Sequence, residues 1–339
     1  MPKGPQKILV IRLSAMGDVA MTVPVLRALT LQYPEIKITV LTREFFRPFF
    51  RDLPNVSVFP IEVSGKHKAI SGLFTLSKEL KTHKFDAVAD LHNVLRTKIL
   101  KFFLSDDKFV QINKGRKEKK ALISGKIFEQ LKTTHQRYAD VFEQLGFPLE
   151  LSNPTFPEKV KLNSKLQSLK GNTQLKCIGV APFAVHEGEM YPLAVMKTVI
   201  EKLSKDYNIL LFGGGQKEIN ILNTLEKDHK NVTCIAGKLT LGEELDLISN
   251  LDVMLSMDSG NAHIAALLGI KVITIWGVTH PYAGFAPFNQ PKDYALISDR
   301  TQFPEIPTSV FGNKYPEGYK EASRSISPQT VIEKVKSVI

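Results

Sequence analysis

The sequence predicts an α/β protein built from two parallel-sheet domains, and three observations carry that expectation. Short apolar or β-branched runs alternate with helix-length segments along the whole chain. Those runs are apolar continuously rather than every second residue, the pattern of strands covered by helices on both faces. The length of 339 residues suits two cores, and Pro154, Pro157, Gly171 and many polar residues break the periodicity between 150 and 173.

In the first half, strands are expected at Lys7–Arg12, Lys37–Leu41, Phe85–Asp90 and Phe109–Ile112, with helices near Val19–Tyr33 and Ser71–Lys81. The second half repeats the scheme with strands at Cys177–Ala181, Asn208–Phe212, Val232–Ile235, Asp252–Ser256 and Lys271–Trp276. Helices fall between them near Pro192–Lys205, Glu218–Asp228, Leu241–Asn250 and Asn261–Leu268. Residues 285–325 carry five prolines and read as long loops, after which Ser327-Pro328 opens a closing helix with a serine cap and proline at its first position. The expected division is therefore 1–160, 161–325 and a closing helix over 326–339. Open α/β sheets bind ligands at the carboxyl ends of their strands, so the loops there are where polar residues gain meaning.

Composition narrows the class. No apolar stretch approaches the roughly 18 residues of a membrane span, and Met1-Pro2-Lys3-Gly4 leads into a strand without a signal-peptide core, so an intracellular, cytoplasmic protein is expected. Cys177 and Cys234 lie in apolar strands without metal-ligand spacing and read as buried reduced thiols. Net charge is +11; residues 1–165 hold 28 Lys+Arg against 16 Asp+Glu and the remainder 17 against 18. The basic half is expected to face something anionic, with Lys114–Lys120 as the tightest run, or else to be a solvated surface. Nucleic acid is not the expected partner, because the basic residues lack interleaved aromatics or a helix-turn-helix context.

Two constellations carry chemistry. The first strand ends in Leu13-Ser14-Ala15-Met16-Gly17-Asp18 and runs straight into a helix, so Asp18 either caps that helix or faces a ligand at its start. With one glycine instead of G-x-G-x-x-G, the turn is poorly suited to a dinucleotide pyrophosphate. Asp90-Leu91-His92-Asn93-Val94-Leu95-Arg96-Thr97 sits at another strand end. In the second half a strand runs into Asp258-Ser259-Gly260-Asn261-Ala262-His263 and an alanine-rich helix. Uncapped N–H groups there, with Gly260 permitting close approach, would hold a diphosphate without a metal, and His263 lies one turn on; the alternative is an ordinary N-cap. Gly213-Gly214-Gly215 follows the second strand of this half, and Glu218 could accept hydrogen bonds from a ribose or base, unless the glycines only make a tight turn. Walker A, H-E-x-x-H, G-x-S-x-G and metal-holding Asp-x-Asp patterns are all missing.

These motifs, together with Ala181-Pro182-Phe183, Tyr191-Pro192 and Gly277-Val278-Thr279-His280-Pro281, occur in the order seen in the bacterial ADP-heptose:lipopolysaccharide heptosyltransferases, which the chain resembles over nearly its whole length. The resemblance implies a GT-B fold, two Rossmann-like parallel-sheet domains facing a central cleft, and an inverting glycosyltransferase that needs no metal or other cofactor. It implies a nucleotide-sugar donor, ADP-linked, and an anionic glycolipid acceptor met at the inner face of the membrane. Carried over, Asp18 is the general base. Donor contacts fall to Asp258, Ser259, Gly260, His263, Gly213, Gly214, Glu218, Pro182 and Lys217; acceptor contacts fall to Ser14, Gly17, His92, Arg96, Lys117 and Lys119. One departure stands out. Family members often carry a lysine shortly before the aromatic-Pro pair, where this chain reads His186-Glu187-Gly188-Glu189-Met190, so either Lys217, His186 or His263 offsets the diphosphate or the activity differs. A catalytically impaired sugar-nucleotide or glycan-binding protein and a sugar-nucleotide epimerase are the competing readings.

Overall fold

A computed structural model describes residues 5–105 and 108–339; Met1-Pro2-Lys3-Gly4, read above as the lead into the first strand, fall outside the described residues. The chain divides into two compact units, residues 1–114 with 134–155 and residues 115–133 with 156–339.

The first unit is built on β1 (Lys7–Ile11), α1 (Met16–Ala20), α2 (Thr22–Gln32), β2 (Lys37–Thr42), β3 (Val56–Pro60), α3 (Ala69–Thr82), β4 (Ala87–Asp90), α4 (Leu95–Leu104) and β5 (Phe109–Gln111). Its sheet is wholly parallel in the order β3-β2-β1-β4-β5. β1 is central: Ile8, Leu9, Val10 and Ile11 are buried, as a strand covered on both faces requires. The order reverses between β1 and β4, so the loops after these two strands lie side by side at the sheet's carboxyl end. β3 is an edge strand whose residues are only partly covered and whose last residue is Pro60, which is why it lacks the continuous apolar signature.

Helix α5 (Arg116–Ile123) leaves this unit, and α6 (Thr134–Gln144) returns to it. The excursion over 115–133 packs with the second unit, where Leu122, Leu131 and Ala283 form a small core with Ile127, Tyr282 and Phe285. Leu131 donates its N–H to the Tyr282 carbonyl (3.0 Å). This changes the charge picture. Counted by compact unit, the first holds 19 Lys+Arg against 13 Asp+Glu and the second 26 against 21, so the basic excess is shared, not confined to one side.

The second unit follows with α7 (Ser164–Lys170), β6 (Cys177–Ala181), α8 (Leu193–Leu203), β7 (Asn208–Leu211), α9 (Gln216–Lys227), β8 (Val232–Cys234), α10 (Leu241–Ile248), β9 (Val253–Met257), α11 (Gly260–Leu267), β10 (Lys271–Trp276), β11 (Ala295–Ile297) and α12 (Pro328–Val338). The six strands are parallel in the order β11-β10-β9-β6-β7-β8. Every residue of β6, β7 and β9 is buried. β11, three residues long, was not legible within the proline-rich stretch. α12 opens as expected, with Ser327 Oγ accepting from Thr330 N–H (3.0 Å) and Pro328 at the first position. Its buried Val331, Val335 and Val338 close the core over α8. No described helix is long and apolar enough to cross a membrane.

Glycine matters most where the 187–189 turn meets the end of β10. A Cβ on Gly277 would overlap the Gly188 carbonyl oxygen, which accepts from Val278 N–H (2.8 Å). Gly277→Ala is expected to force that turn away and to lower the stability of the second unit by about 1–3 kcal/mol, read from denaturant unfolding. An unchanged midpoint would show that the contact is dispensable.

Candidate functional site

In the first unit the functional groups gather on the β1 and β4 loops. Asp18 lies in α1, a third exposed on its side chain, and Oδ2 accepts from Ala15 N–H (3.2 Å). The same oxygen is ion-paired with Arg12, the residue just past the end of β1. Arg12 is buried and donates from Nη1 to the Leu91 carbonyl (2.8 Å), tying the β1 loop to the β4 loop. Tyr138 Oη of α6 donates to the Asp18 carbonyl (3.3 Å). Asp18 thus does cap its short helix. Oδ2 is engaged twice, whereas Oδ1 makes no hydrogen bond among the described residues.

Asp90, fully buried at the end of β4, holds its loop from within: Oδ1 accepts from His92 and Asn93 N–H (both 2.9 Å) and Oδ2 from Gln111 Nε2 (2.8 Å). His92 is thereby fixed beside Arg12. Burial first, then the positive charges of Arg12 and Lys114, drive its imidazole down to about 4, so it is neutral at physiological pH. Its buried Nδ1 has no hydrogen-bond partner among the described residues. Ser14 and Gly17 share the loop with Asp18, half-buried. Arg96 donates to the His67 carbonyl (3.0 Å) and so braces the turn before α3.

Lys117 and Lys119, expected as acceptor contacts in the N-terminal domain, lie on α5, which belongs to the second unit. Lys117 is exposed, but Lys119 is buried with its Nζ 3.9 Å from the Phe285 ring centroid, a cation–π contact that an aromatic neighbour makes possible.

In the second unit the strand order reverses around β6 and β9, and the loops after these strands carry the second constellation. Ser259 stands at the N-cap of α11 yet makes no capping hydrogen bond; its hydroxyl pairs with Ser256 Oγ (3.0 Å). Asp258 does not cap either, because its Oδ2 accepts from Thr279 Oγ1 (3.1 Å) at the end of β10. The ordinary N-cap alternative is therefore set aside: no side chain caps the first turn of α11 among the described residues, and the positive end of the helix faces the loop. His263, one turn along, is buried. Burial pushes the Asp258 carboxyl up to about 7.

The two acidic residues before Tyr191 have opposite fates. Glu187 is exposed and paired with Lys320 (2.8 Å), whose ammonium, helped by Lys217, holds its carboxyl below the ordinary range. Glu189 is 7% exposed, lies against Gly312 and accepts weakly from His186 N–H (3.3 Å). Burial and the neighbouring Asp258 push its carboxyl up to about 8, so at neutral pH it is an uncharged acid. An acidic residue here would repel a diphosphate only when ionised, and desolvation keeps Glu189 protonated. Glu218 Oε2 accepts from Gly214 N–H (2.8 Å) and so holds the glycine turn in shape. Gly215 starts α9 at φ +78°, and no protein atom lies within 4 Å of where a Gly214 Cβ would stand. Pro182 is buried just after β6, and Lys217 is exposed on the first turn of α9.

Parallel sheets of these two orders, each with its polar loops where the strand order reverses, define a doubly wound α/β protein, a class in which ligands are held at the carboxyl ends of the strands. The model of glycosyltransferase family 9 (heptosyltransferase) matches residues 73–307, and the chain belongs to this family of glycosyltransferases. The lipopolysaccharide core heptosyltransferase OpsX of Haemophilus influenzae is 25% identical over 302 residues, 85% of this chain and 83% of the relative. Among solved structures, a glycosyl transferase family 9 protein of Veillonella parvula superposes with TM-score 0.78 at 20% identity, covering 100% of this chain and 98% of its own. The ADP-heptose lps heptosyltransferase II of E. coli superposes with TM-score 0.70 at 20% identity over 98% of both chains. The expected family and its two-sheet fold are borne out.

Arg12 and Tyr138 were missed by sequence reasoning, and Thr279 entered only within the Gly277–Pro281 motif, with no role of its own. Arg12 left a trace as a charged residue terminating an otherwise apolar strand.

Proposed function

We propose that the protein transfers a heptose-like sugar from an ADP-linked donor to a lipopolysaccharide or related cell-envelope glycan, with inversion and without a metal ion. The observation that carries this reading is the uncapped start of α11 at the end of β9, where backbone N–H groups near Ser259 and Gly260 can receive a diphosphate. The likeness to a lipopolysaccharide core heptosyltransferase and to an ADP-heptose lps heptosyltransferase supports the donor and acceptor classes.

In this mechanism Asp18 Oδ1 takes the proton of an acceptor hydroxyl while Arg12 holds Oδ2 and fixes the carboxylate's orientation. Attack on the anomeric carbon expels the nucleoside diphosphate in one displacement, which inverts the configuration. The developing charge meets the helix terminus, His263 and Lys217, and Glu189, protonated, donates a hydrogen bond where a carboxylate would repel. Glu218 keeps the glycine turn open to the nucleotide.

The test is a panel of ADP-, GDP- and UDP-sugars in a thermal-denaturation assay, followed by transfer to a heptose-deficient lipopolysaccharide in the presence of EDTA. An ADP-sugar at about a hundred times its dissociation constant should add roughly 2.7 kcal/mol of stability. Transfer should be unaffected by the chelator. Silence with every donor, or loss of transfer in EDTA, would overturn the proposal.

A further inference from the structure

The first unit carries an apolar patch that its own core does not use. On α3, Ile70 and Phe74 are exposed one turn apart; on the adjoining α4, Leu95 and Phe102 are 75% and 79% exposed two turns apart. The patch is continuous between the helices. Phe74 meets Phe103 edge-on at 5.4 Å between centroids, and Phe103 meets Phe102 at 5.8 Å. Ile70, Phe74, Leu95 and Phe102 are not among the residues of the core cluster, to which these helices contribute Leu73, Leu76, Leu80 and Leu100.

Lysines frame the same surface. Lys78 holds its ammonium 4.4 Å from the Phe74 ring, and exposed Lys98 stands between Leu95 and Phe102 at helical spacing. Lys66 and Lys68 precede α3. From residue 66 to 104 there are eight Lys and Arg against three Asp and Glu, and of the three acids Asp90 is buried and Glu79 is already paired with Lys66. Aromatic and aliphatic tips inside a ring of long basic side chains match a bilayer interface, where the tips enter the acyl boundary and the ammoniums meet phosphate.

We propose that the α3–α4 face docks on a membrane surface bearing anionic phospholipid headgroups. Charge complementarity selects this occupant over a second copy of the chain. Two such faces brought together about a two-fold axis would set lysine against lysine around a small apolar centre, whereas phosphate headgroups neutralise every one of them. This surface adjoins the β4 loop that carries His92, but its test needs no turnover, so it stands or falls independently of the proposed transfer.

The full chain is sedimented with vesicles of phosphatidylcholine alone and of phosphatidylcholine mixed with phosphatidylglycerol, at low and high salt. Binding is expected to the mixed vesicles at least tenfold more strongly than to the neutral ones, and to weaken with salt. Leu95→Ser with Phe102→Ser, and separately Lys78→Glu with Lys98→Glu, should each reduce the bound fraction at least tenfold while the thermal unfolding midpoint stays at the wild-type value. Wild-type protein left in the supernatant with the mixed vesicles overturns the proposal, as do variants that sediment like wild type. Light scattering is run in parallel: a dimer that the Leu95/Phe102 variant dissociates would assign the face to a second copy and equally overturn it.

Discussion

Asp18→Asn is expected to lower the rate of sugar transfer by about 10²- to 10⁴-fold, the usual contribution of a general base, while leaving donor affinity within twofold of wild type. The reason is geometric. An amide of the same shape can still accept the Ala15 N–H and sit beside Arg12, but it cannot take a proton from an acceptor hydroxyl. Donor affinity is spared because every donor contact proposed above belongs to the second unit. Arg12→Ala should reproduce much of the loss by a different route, leaving the base ionised but unoriented, and it should also loosen the tie to the Leu91 carbonyl. The measurement is single-turnover transfer alongside equilibrium binding of the donor. Undiminished turnover in the Asn variant would remove Asp18 from the mechanism; lost donor binding in it would mean that the two ligand sites are not separable in this way.

Asp18, Ser259, Gly260 and His263 were legible because each sits where a continuous apolar run gives way to a helix, a junction that periodicity locates to within a residue or two. β6 and β10 match their expected limits for the same reason. β3 escaped because an edge strand need not be apolar on both faces, and β11 because three residues between prolines carry no period. The 115–133 excursion was invisible for a deeper reason. Leu122, Ile127 and Leu131 look like any helix-and-loop apolar set, and only their partners Tyr282, Ala283 and Phe285, more than 150 residues on, say which core they join. Arg12 with the Leu91 carbonyl, and Asp258 with Thr279, are likewise pairs made by topology. Local sequence shows which side chains stand at a strand's end, but the neighbouring loop decides which of their atoms are left for a ligand.

Glu189 carries the second large expectation, because its charge is set by burial and not by residue type. Its carboxyl is raised from the ordinary value to about 8, and that of Asp258 to about 7. Groups whose folded-state values are raised give stability that is complete below their unfolded values and is lost as pH climbs through the folded ones. The second unit should therefore weaken steadily between about pH 5 and pH 9, Glu189 alone accounting for up to roughly 4 kcal/mol at about 1.4 kcal/mol per pH unit. Glu244, half-buried and raised by desolvation to about 7, adds to the same trend. Glu189→Gln cannot ionise, so it should flatten the alkaline limb while changing stability little at pH 5. Donor binding gives an independent readout. Above pH 8 the wild-type site holds a carboxylate facing a diphosphate, and affinity should fall about tenfold per pH unit once ionisation competes with binding; in the Gln variant it should stay level to pH 9. Parallel pH profiles for the two proteins would show that Glu189 is already ionised in the folded state. The acidic stretch before Tyr191 would then be a true barrier to a diphosphate, and the assignment of the α11 terminus as its cradle would have to be abandoned.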